Sequence, residues 1–360
     1  MLRITVWGTG NMGAAAIRSA AAFPGLTLAG VITSSPDKAG KDAAAFAALD
    51  GSTGVTATTD VDAALTDCDA VAYMASGDIR PDDAVSDIER CLRAGRHVVT
   101  PSLYSLYDPR SAPPEWVDRL TRAAEEGNCT LLVSGVDPGW GNDALAVIAA
   151  GLCTRINSIH CQEIFDYSTY NQPFAVKVSC GFGGSMDETP MMLLPSIPTM
   201  VWGGNIRLVG RTLGMEIDEI AEEVERRPLE EPVDTVMGRF EKGTQGAFWL
   251  KVIGKSGGRE RIVIDHITRI HSSCAPDWPY PDEGVGDHRV IIDGDPRLTI
   301  TTRADVPGGT RADGGNTTAA NRLLGALAWL VEQKPGIYDG LDAPLQTTLP
   351  PEVQAQRWAH

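Results

Sequence analysis

Positive charge is scarce in this 360-residue chain: 31 lysines and arginines stand against 47 aspartates and glutamates, a formal net charge of −16. A net anion is repelled by nucleic acid and by anionic membrane surfaces, so neither partner is expected. Long apolar runs are missing too, so no segment reads as a membrane span. The start lacks a basic-then-apolar signal, and the first strand begins one residue after Met1, leaving no room for a targeting segment. Cysteine pairing is absent as a pattern: the seven cysteines, at 68, 91, 129, 153, 161, 180 and 274, are scattered and form no C-x-x-C. That fits reduced thiols in a cytoplasm better than a disulfide framework or a zinc site. No metal is expected. With 43% hydrophobic residues the chain can bury a sizeable core, and its length suggests two domains.

The first 150 residues alternate strand and helix signals. After Leu2–Trp7 come short apolar runs at 26–32, 70–74, 97–100 and 130–134, with helical stretches at 81–94 and 113–126 between them. Such alternation predicts an α/β domain, a Rossmann-type doubly wound parallel sheet covered by helices on both faces. From Arg155 the texture changes to strands, at 158–167, 174–180, 232–240, 247–254, 259–270, 289–292 and 298–302. Helices are expected at 186–213 and 216–227. The reading is a second α+β domain over 151–315, built on a mostly antiparallel sheet that binds substrate and dimerises. A helix over 316–333, stopped by Pro335-Gly336, is expected to return to the first domain, so that 316–360 joins 1–150. The proline-rich stretch after Leu341 reads as irregular.

The most informative motif is Gly8-Thr-Gly10-Asn11-Met12-Gly13, placed between a predicted strand and an alanine-rich helix. In that context Gly8 permits the tight turn, Gly10 lets the backbone approach a pyrophosphate, and Gly13 lets the helix sit close to its strand. The helix N-terminus offers amides and dipole to the phosphates. A dinucleotide is therefore expected. The second strand ends in Thr33-Ser34-Ser35, with Lys38 close by, where an NAD site usually carries an acid for the ribose 2′-hydroxyl. Hydroxyl donors and a cation suit a 2′-phosphate, which favours NADP, with NAD the alternative if Asp37 takes the ribose instead. Ala75 and Ser76, after the fourth strand, are expected beneath the cofactor.

Three further strand ends point to one crevice: Thr100 to Asp108, Ser134 to Trp140, and Glu163 to Tyr170. They carry Tyr104, Asp137, Trp140, Glu163, Phe165, Tyr167 and Tyr170. Glu163 and Tyr167 lie four apart and share a face if both are on a strand, although half-buried sheet residues would look the same. His266 and His271, five apart, fall on opposite faces, which disfavours a shared metal; His266 lines the pocket or is a satisfied structural histidine. Gly181-Phe-Gly-Gly184 lacks the P-loop lysine and reads as a turn.

The GTGNMG turn, the Val98-Val-Thr strand, the Gly135-Val-Asp-Pro-Gly-Trp140 loop and the late helix from Asn316 to Ile337 together resemble the dihydrodipicolinate reductase-like oxidoreductases. More narrowly they resemble the branch of 2,4-diaminopentanoate dehydrogenase and the native amine dehydrogenases, and the likeness spans essentially the whole chain. It implies reversible conversion of an amine to a ketone or aldehyde plus ammonia with a nicotinamide cofactor, in a homodimer. That branch carries a glutamate just after the Val-Val-Ser/Thr strand as the ammonia-activating base; here Leu103 or Tyr104 stands in its place. Amine chemistry still needs a base and an acid, and a carboxylate partly removed from water serves both. Asp137 is the first candidate, with Tyr104 a donor to the carbinolamine oxygen, while Trp140, Glu163, Tyr167 and His266 are candidate substrate contacts. A reductase of a cyclic imine, C=C or carbonyl, or an inactive NADP-binding protein, stands as the alternative.

Overall fold

The computed structural model describes residues 1–77 and 79–344, which fall into two compact units, 1–136 with the chain from Gly315 onward, and 137–314. In the first unit β1 (Leu2–Trp7), β2 (Leu26–Ile32), β3 (Ala57–Thr58), β4 (Ala70–Tyr73), β5 (His97–Thr100) and β6 (Thr130–Val133) form one sheet. A last strand from the far end of the chain, β15 (Gly336–Tyr338), completes it in the order β15-β6-β5-β4-β1-β2-β3. Every neighbouring pair is parallel, the doubly wound arrangement that reverses at β1. The buried runs have no polar face because helices cover both sides. On one side α1 (Asn11–Ala22), α2 (Ala44–Ala47), α8 (Arg311–Gly325) and α9 (Leu327–Leu330) bury Ala16, Ile17, Ala20, Leu323, Leu324 and Leu327. On the other, α3 (Val61–Thr66), α4 (Pro81–Arg93) and α5 (Pro114–Gly127) bury Leu65, Ile88, Leu92 and Leu120. The late helix starts at Arg311, ahead of the expected 316, and ends in two pieces. Its Asn321 accepts a hydrogen bond from Ser19 Oγ at 2.7 Å.

The second unit carries α6 (Ala144–Ala150), α7 (Ile197–Thr212) and the strands β7 (Arg155–Asp166), β8 (Glu219–Pro228), β11 (Gln245–Ser256), β12 (Arg259–Arg269), β13 (Gly286–Asp295) and β14 (Leu298–Thr302). They pair as β14-β13-β7-β12-β11-β8, antiparallel throughout except for the parallel pair β7 and β12. A separate hairpin, β9 (Val233–Thr235) with β10 (Gly238–Phe240), stands where one strand over 232–240 is expected. Leu145, Ala146, Ala149 and Ala150 of α6 bury into this unit's core with Trp202, Ile206 and Val209 of α7. The division therefore lies at Val136 rather than residue 150, because the apolar face of α6 packs on the second sheet.

Two further elements differ from expectation. The 216–227 stretch is not a helix but edge strand β8, paired along its length with β11; its glutamates and arginines keep the exposed edge charged. The 174–180 stretch is helical, not extended, over Phe174–Ser179. The expected helix over 186–213 forms only from Ile197. The expected irregular stretch lies, beyond residue 344, outside the described residues. Among the described residues no helix is long and apolar enough to cross a membrane.

Candidate active site

In the first unit the glycine turn has the shape the motif demands. Gly8 adopts φ +125°, a left-handed conformation, and a Cβ there would lie 3.0 Å from the Met74 backbone. A Cβ on Gly13 would sit 2.0 Å from the Gly8 carbonyl oxygen, so α1 approaches β1 only with glycine at that position. Gly10 differs: a Cβ there meets nothing within 4 Å, leaving open space over the first turn of α1. No side chain caps that helix, no acid occupies its first turn, and Asn11 is exposed with Met12 half-buried beside it. These features fit a pyrophosphate. At the end of β2 the Thr33 and Thr9 hydroxyls lie 3.2 Å apart, and the Ser35 amide donates to Thr33 Oγ1 at 3.2 Å. Lys38 Nζ donates to the Thr9 carbonyl and hydroxyl, each at 3.1 Å, which draws its charge back over the glycine turn. Ser34 is exposed. Ser102 Oγ donates to the Ala75 carbonyl at 2.5 Å, tying the β4 turn, with Ser76 exposed, to the end of β5. Tyr104 also belongs to this unit, half-buried in a short 3₁₀ turn with its ring 6.3 Å from that of Tyr107.

The second unit holds a buried cluster of ionisable groups. Register builds it: His266 of β12 and His288 of β13 both lie opposite Glu163 of β7, so the three side chains form one row across the sheet. Glu163 Oε2 bonds His266 Nε2, and His266 Nδ1 meets Thr268 Oγ1 at 2.6 Å. Phe248 stacks on the His266 ring, with centroids 5.9 Å apart, and Trp202 leans on it at 5.1 Å.

Asp137 enters the cluster from the loop before α6. Its Oδ1 accepts from Trp202 Nε1 at 2.6 Å and from Asn142 Nδ2 at 2.8 Å. Asn142 is itself fixed: its Oδ1 accepts from the Gly139 amide and from Asn205 Nδ2, both at 2.9 Å. Trp202 and Asn205 are three apart on α7 and so share its inward face. The other Asp137 oxygen points to His288 Nε2 at 3.7 Å, and that nitrogen lies 3.8 Å from Glu163 Oε1.

Burial, and next the charge of Glu163, raises the Asp137 carboxyl to about 7; His266, Trp202 and Asn142 oppose the shift. Burial alone would lower the His266 imidazole, but the charge and hydrogen bond of Glu163, with Asp137 behind them, hold it above its ordinary value. One carboxyl is thus raised to titrate near neutrality beside one paired with an imidazole that is itself raised, an asymmetry that suits an acid and a base. Asp137, Glu163 and His288 bring ligand atoms within 4.8 Å of one another. Asp137 Oδ1 and Glu163 Oε2 already have protein partners, while Asp137 Oδ2 and Glu163 Oε1 face His288 Nε2 at 3.7 and 3.8 Å.

The remaining expected residues are more dispersed. Tyr167 is not on the strand with Glu163, because β7 ends at Asp166 and Tyr167 opens a 3₁₀ turn. Its ring packs against Phe165 at 4.7 Å and Tyr170 at 5.3 Å, and burial, with the charges of Cys180 and Glu163, pushes its phenol well up. Trp140 is half-buried against the unit's core. His266 has protein partners on both ring nitrogens, so it stands as the partner of Glu163 rather than as a direct substrate contact. His271 is half-buried and its Nδ1 bonds the Ser273 hydroxyl. Asn142, Trp202, Asn205 and His288 were not legible. His288 alternates with Val290 and Ile292 on one face, but only the register against β7 gives that face meaning.

A family model for the 2,4-diaminopentanoate dehydrogenase C-terminal domain matches residues 142–357, and one for the dihydrodipicolinate reductase N-terminus matches residues 2–100. An amine dehydrogenase from Streptomyces virginiae is 54% identical over 352 residues, 97% of this chain and 98% of that one. A 2,4-diaminopentanoate dehydrogenase from Acetoanaerobium sticklandii is 25% identical over 248 residues, 66% of this chain and 64% of its own. Among solved structures an amine dehydrogenase from Mycobacterium smegmatis superposes with a TM-score of 0.77, at 18% identity and 97% coverage of both chains, a likeness of fold.

Proposed function

The chain belongs to the 2,4-diaminopentanoate dehydrogenase family, and on that premise we infer that it is an NAD(P)-dependent amine dehydrogenase, an oxidoreductase acting on CH–NH2 groups. It interconverts an amine with a ketone or aldehyde and ammonia. The observation that carries the chemistry is the buried Asp137–Glu163 carboxylate pair with its two imidazoles. A bound nicotinamide supplies the hydride. Gly8, Gly10, Asn11, Met12 and Gly13 would hold the pyrophosphate, with Ala75 and Ser76 beneath the ring. Asp137 would carry a proton to or from the carbinolamine, and Tyr104 stays a candidate donor in the other unit. Trp140 and Tyr167 would wall the substrate.

The test is oxidation of NADPH over a graded set of ketones and aldehydes, with and without high ammonium. Turnover that needs ammonium is expected. Oxidation indifferent to ammonium would replace the reading with reduction of an imine, C=C or carbonyl, and tight NADPH binding without turnover would mean a binding protein.

For the cofactor we read NADP. Thr33, Ser34 and Ser35 present hydroxyls where a ribose-binding acid would stand, and Lys38 is anchored beside them by Thr9. A charge-assisted contact of about 1.5–3 kcal/mol makes Lys38→Ala weaken NADPH roughly 10- to 100-fold. NADH should change less than about threefold. Equal losses in dissociation constants measured by nucleotide fluorescence would overturn the preference.

A further inference from the structure

We propose that Glu163 is the base that takes the proton from ammonium, that His266 is its positioning residue, and that Asp137 is the acid that protonates the departing hydroxyl. This rests on the amine dehydrogenase reading of the same cluster and divides its labour. Geometry separates the two carboxylates. Glu163 Oε2 is bound to His266, whose far nitrogen is fixed by Thr268 and whose ring is clamped between Phe248 and Trp202. A carboxylate hydrogen-bonded to an imidazolium keeps its charge. Asp137 Oδ1 already accepts two N–H donors, so a proton on this residue belongs on Oδ2, the oxygen facing His288. The two carboxylates thus face one imidazole nitrogen, at 3.7 and 3.8 Å, one of them paired with an imidazole and the other with two neutral N–H donors.

The steps balance. Ammonium gives one proton to Glu163, and ammonia attacks the carbonyl carbon, forming the C–N bond while the carbonyl oxygen takes a proton from nitrogen. Asp137 protonates the resulting hydroxyl, the C–O bond breaks, and water leaves an iminium. Ammonium and ketone have become iminium and water with no net proton gained or lost. Glu163 then holds the proton that Asp137 has given up, and its return past His288 resets the pair. The iminium carbon would then be the acceptor for the hydride that a bound nicotinamide would supply.

Besides Asp137, His266 and His288, the titratable groups that feel Glu163 are Tyr167 and Cys180, both of which burial holds protonated. The wild-type enzyme gives the first test. From about pH 5.5 to 8, where ammonium dominates, kcat/KM for ammonium should persist below the value of about 7 at which Asp137 titrates. A fall toward acid with an apparent pKa near 7 would make Asp137 the base and overturn the proposal, whereas a fall toward alkali through that value is what its role as acid predicts. Glu163→Gln should lower kcat/KM for ammonium about 10²- to 10⁴-fold with the NADPH dissociation constant within about twofold of wild type. Activity within about threefold of wild type would also overturn it. His266→Gln should move the acidic limb to higher pH by about one unit, since Glu163 loses its cation; a lower rate with the limb unmoved would mean a merely structural histidine. Wild-type turnover that does not need ammonium defeats the amine reading instead, before any variant is compared.

Discussion

Asp137 is the carboxyl of the cluster whose titration its surroundings carry upward. An unfolded aspartate titrates near 3.9, whereas the folded group titrates at about 7, through burial first and the Glu163 charge second. Between roughly pH 4 and 7 the unfolded chain has released a proton that the folded chain still holds, so folding stability falls as pH rises through that window. His266 acts with the same sign. Its folded imidazole lies above the usual value, so its contribution is complete below about pH 6.5 and is lost as pH climbs through the folded value. Asp137→Asn removes the first dependence while keeping an oxygen for Trp202 and Asn142. Turnover should drop about 10²- to 10⁴-fold, yet urea midpoints should decline less between pH 4.5 and 7.5 than in wild type. Parallel pH dependence in the two proteins would mean that Asp137 is not held protonated.

At the scale of elements, legibility followed local signals. The GTGNMG turn, the alternation up to residue 134 and the strands at 247–254, 259–270 and 298–302 each carry their own periodicity, and each forms nearly where expected. Segment 216–227 does not. Its run of glutamate and arginine has good helix propensity, but pairing with β11 supplies ten residues of ladder and overrides it. Residues 174–180 fail in the opposite direction, because an apolar run of that length reads equally well as strand or helix segment. The site shows the same divide. Asp137 and Glu163 were legible because they stand at strand ends or on a strand leading to the presumed crevice. His288, Trp202 and Asn205 were not, since nothing local distinguishes a half of the row from an ordinary strand histidine. Register across β13, β7 and β12 made the row, and register is a property of the folded sheet.

At the scale of the whole molecule, the dinucleotide signature and the proton-handling cluster belong to different compact units, the glycine turn to residues 1–136 and the Asp137–Glu163 cluster to residues 137–314. Variants confined to one unit therefore test each signature by itself. A ligand that binds only the folded state at 100 times its dissociation constant stabilises by about 2.7 kcal/mol, which a melting curve resolves. Gly13→Ala places a methyl group 2.0 Å from the Gly8 carbonyl oxygen, and relief requires α1 to move off β1, carrying its N-terminal amides with it. That variant should lose the NADPH-induced rise in melting temperature. Asp137→Asn and Glu163→Gln should keep the rise while losing turnover. A rise of wild-type size in Gly13→Ala would mean that the glycine turn is not the phosphate site, and loss of the rise in both carboxylate variants would mean that the cluster binds dinucleotide rather than handling protons.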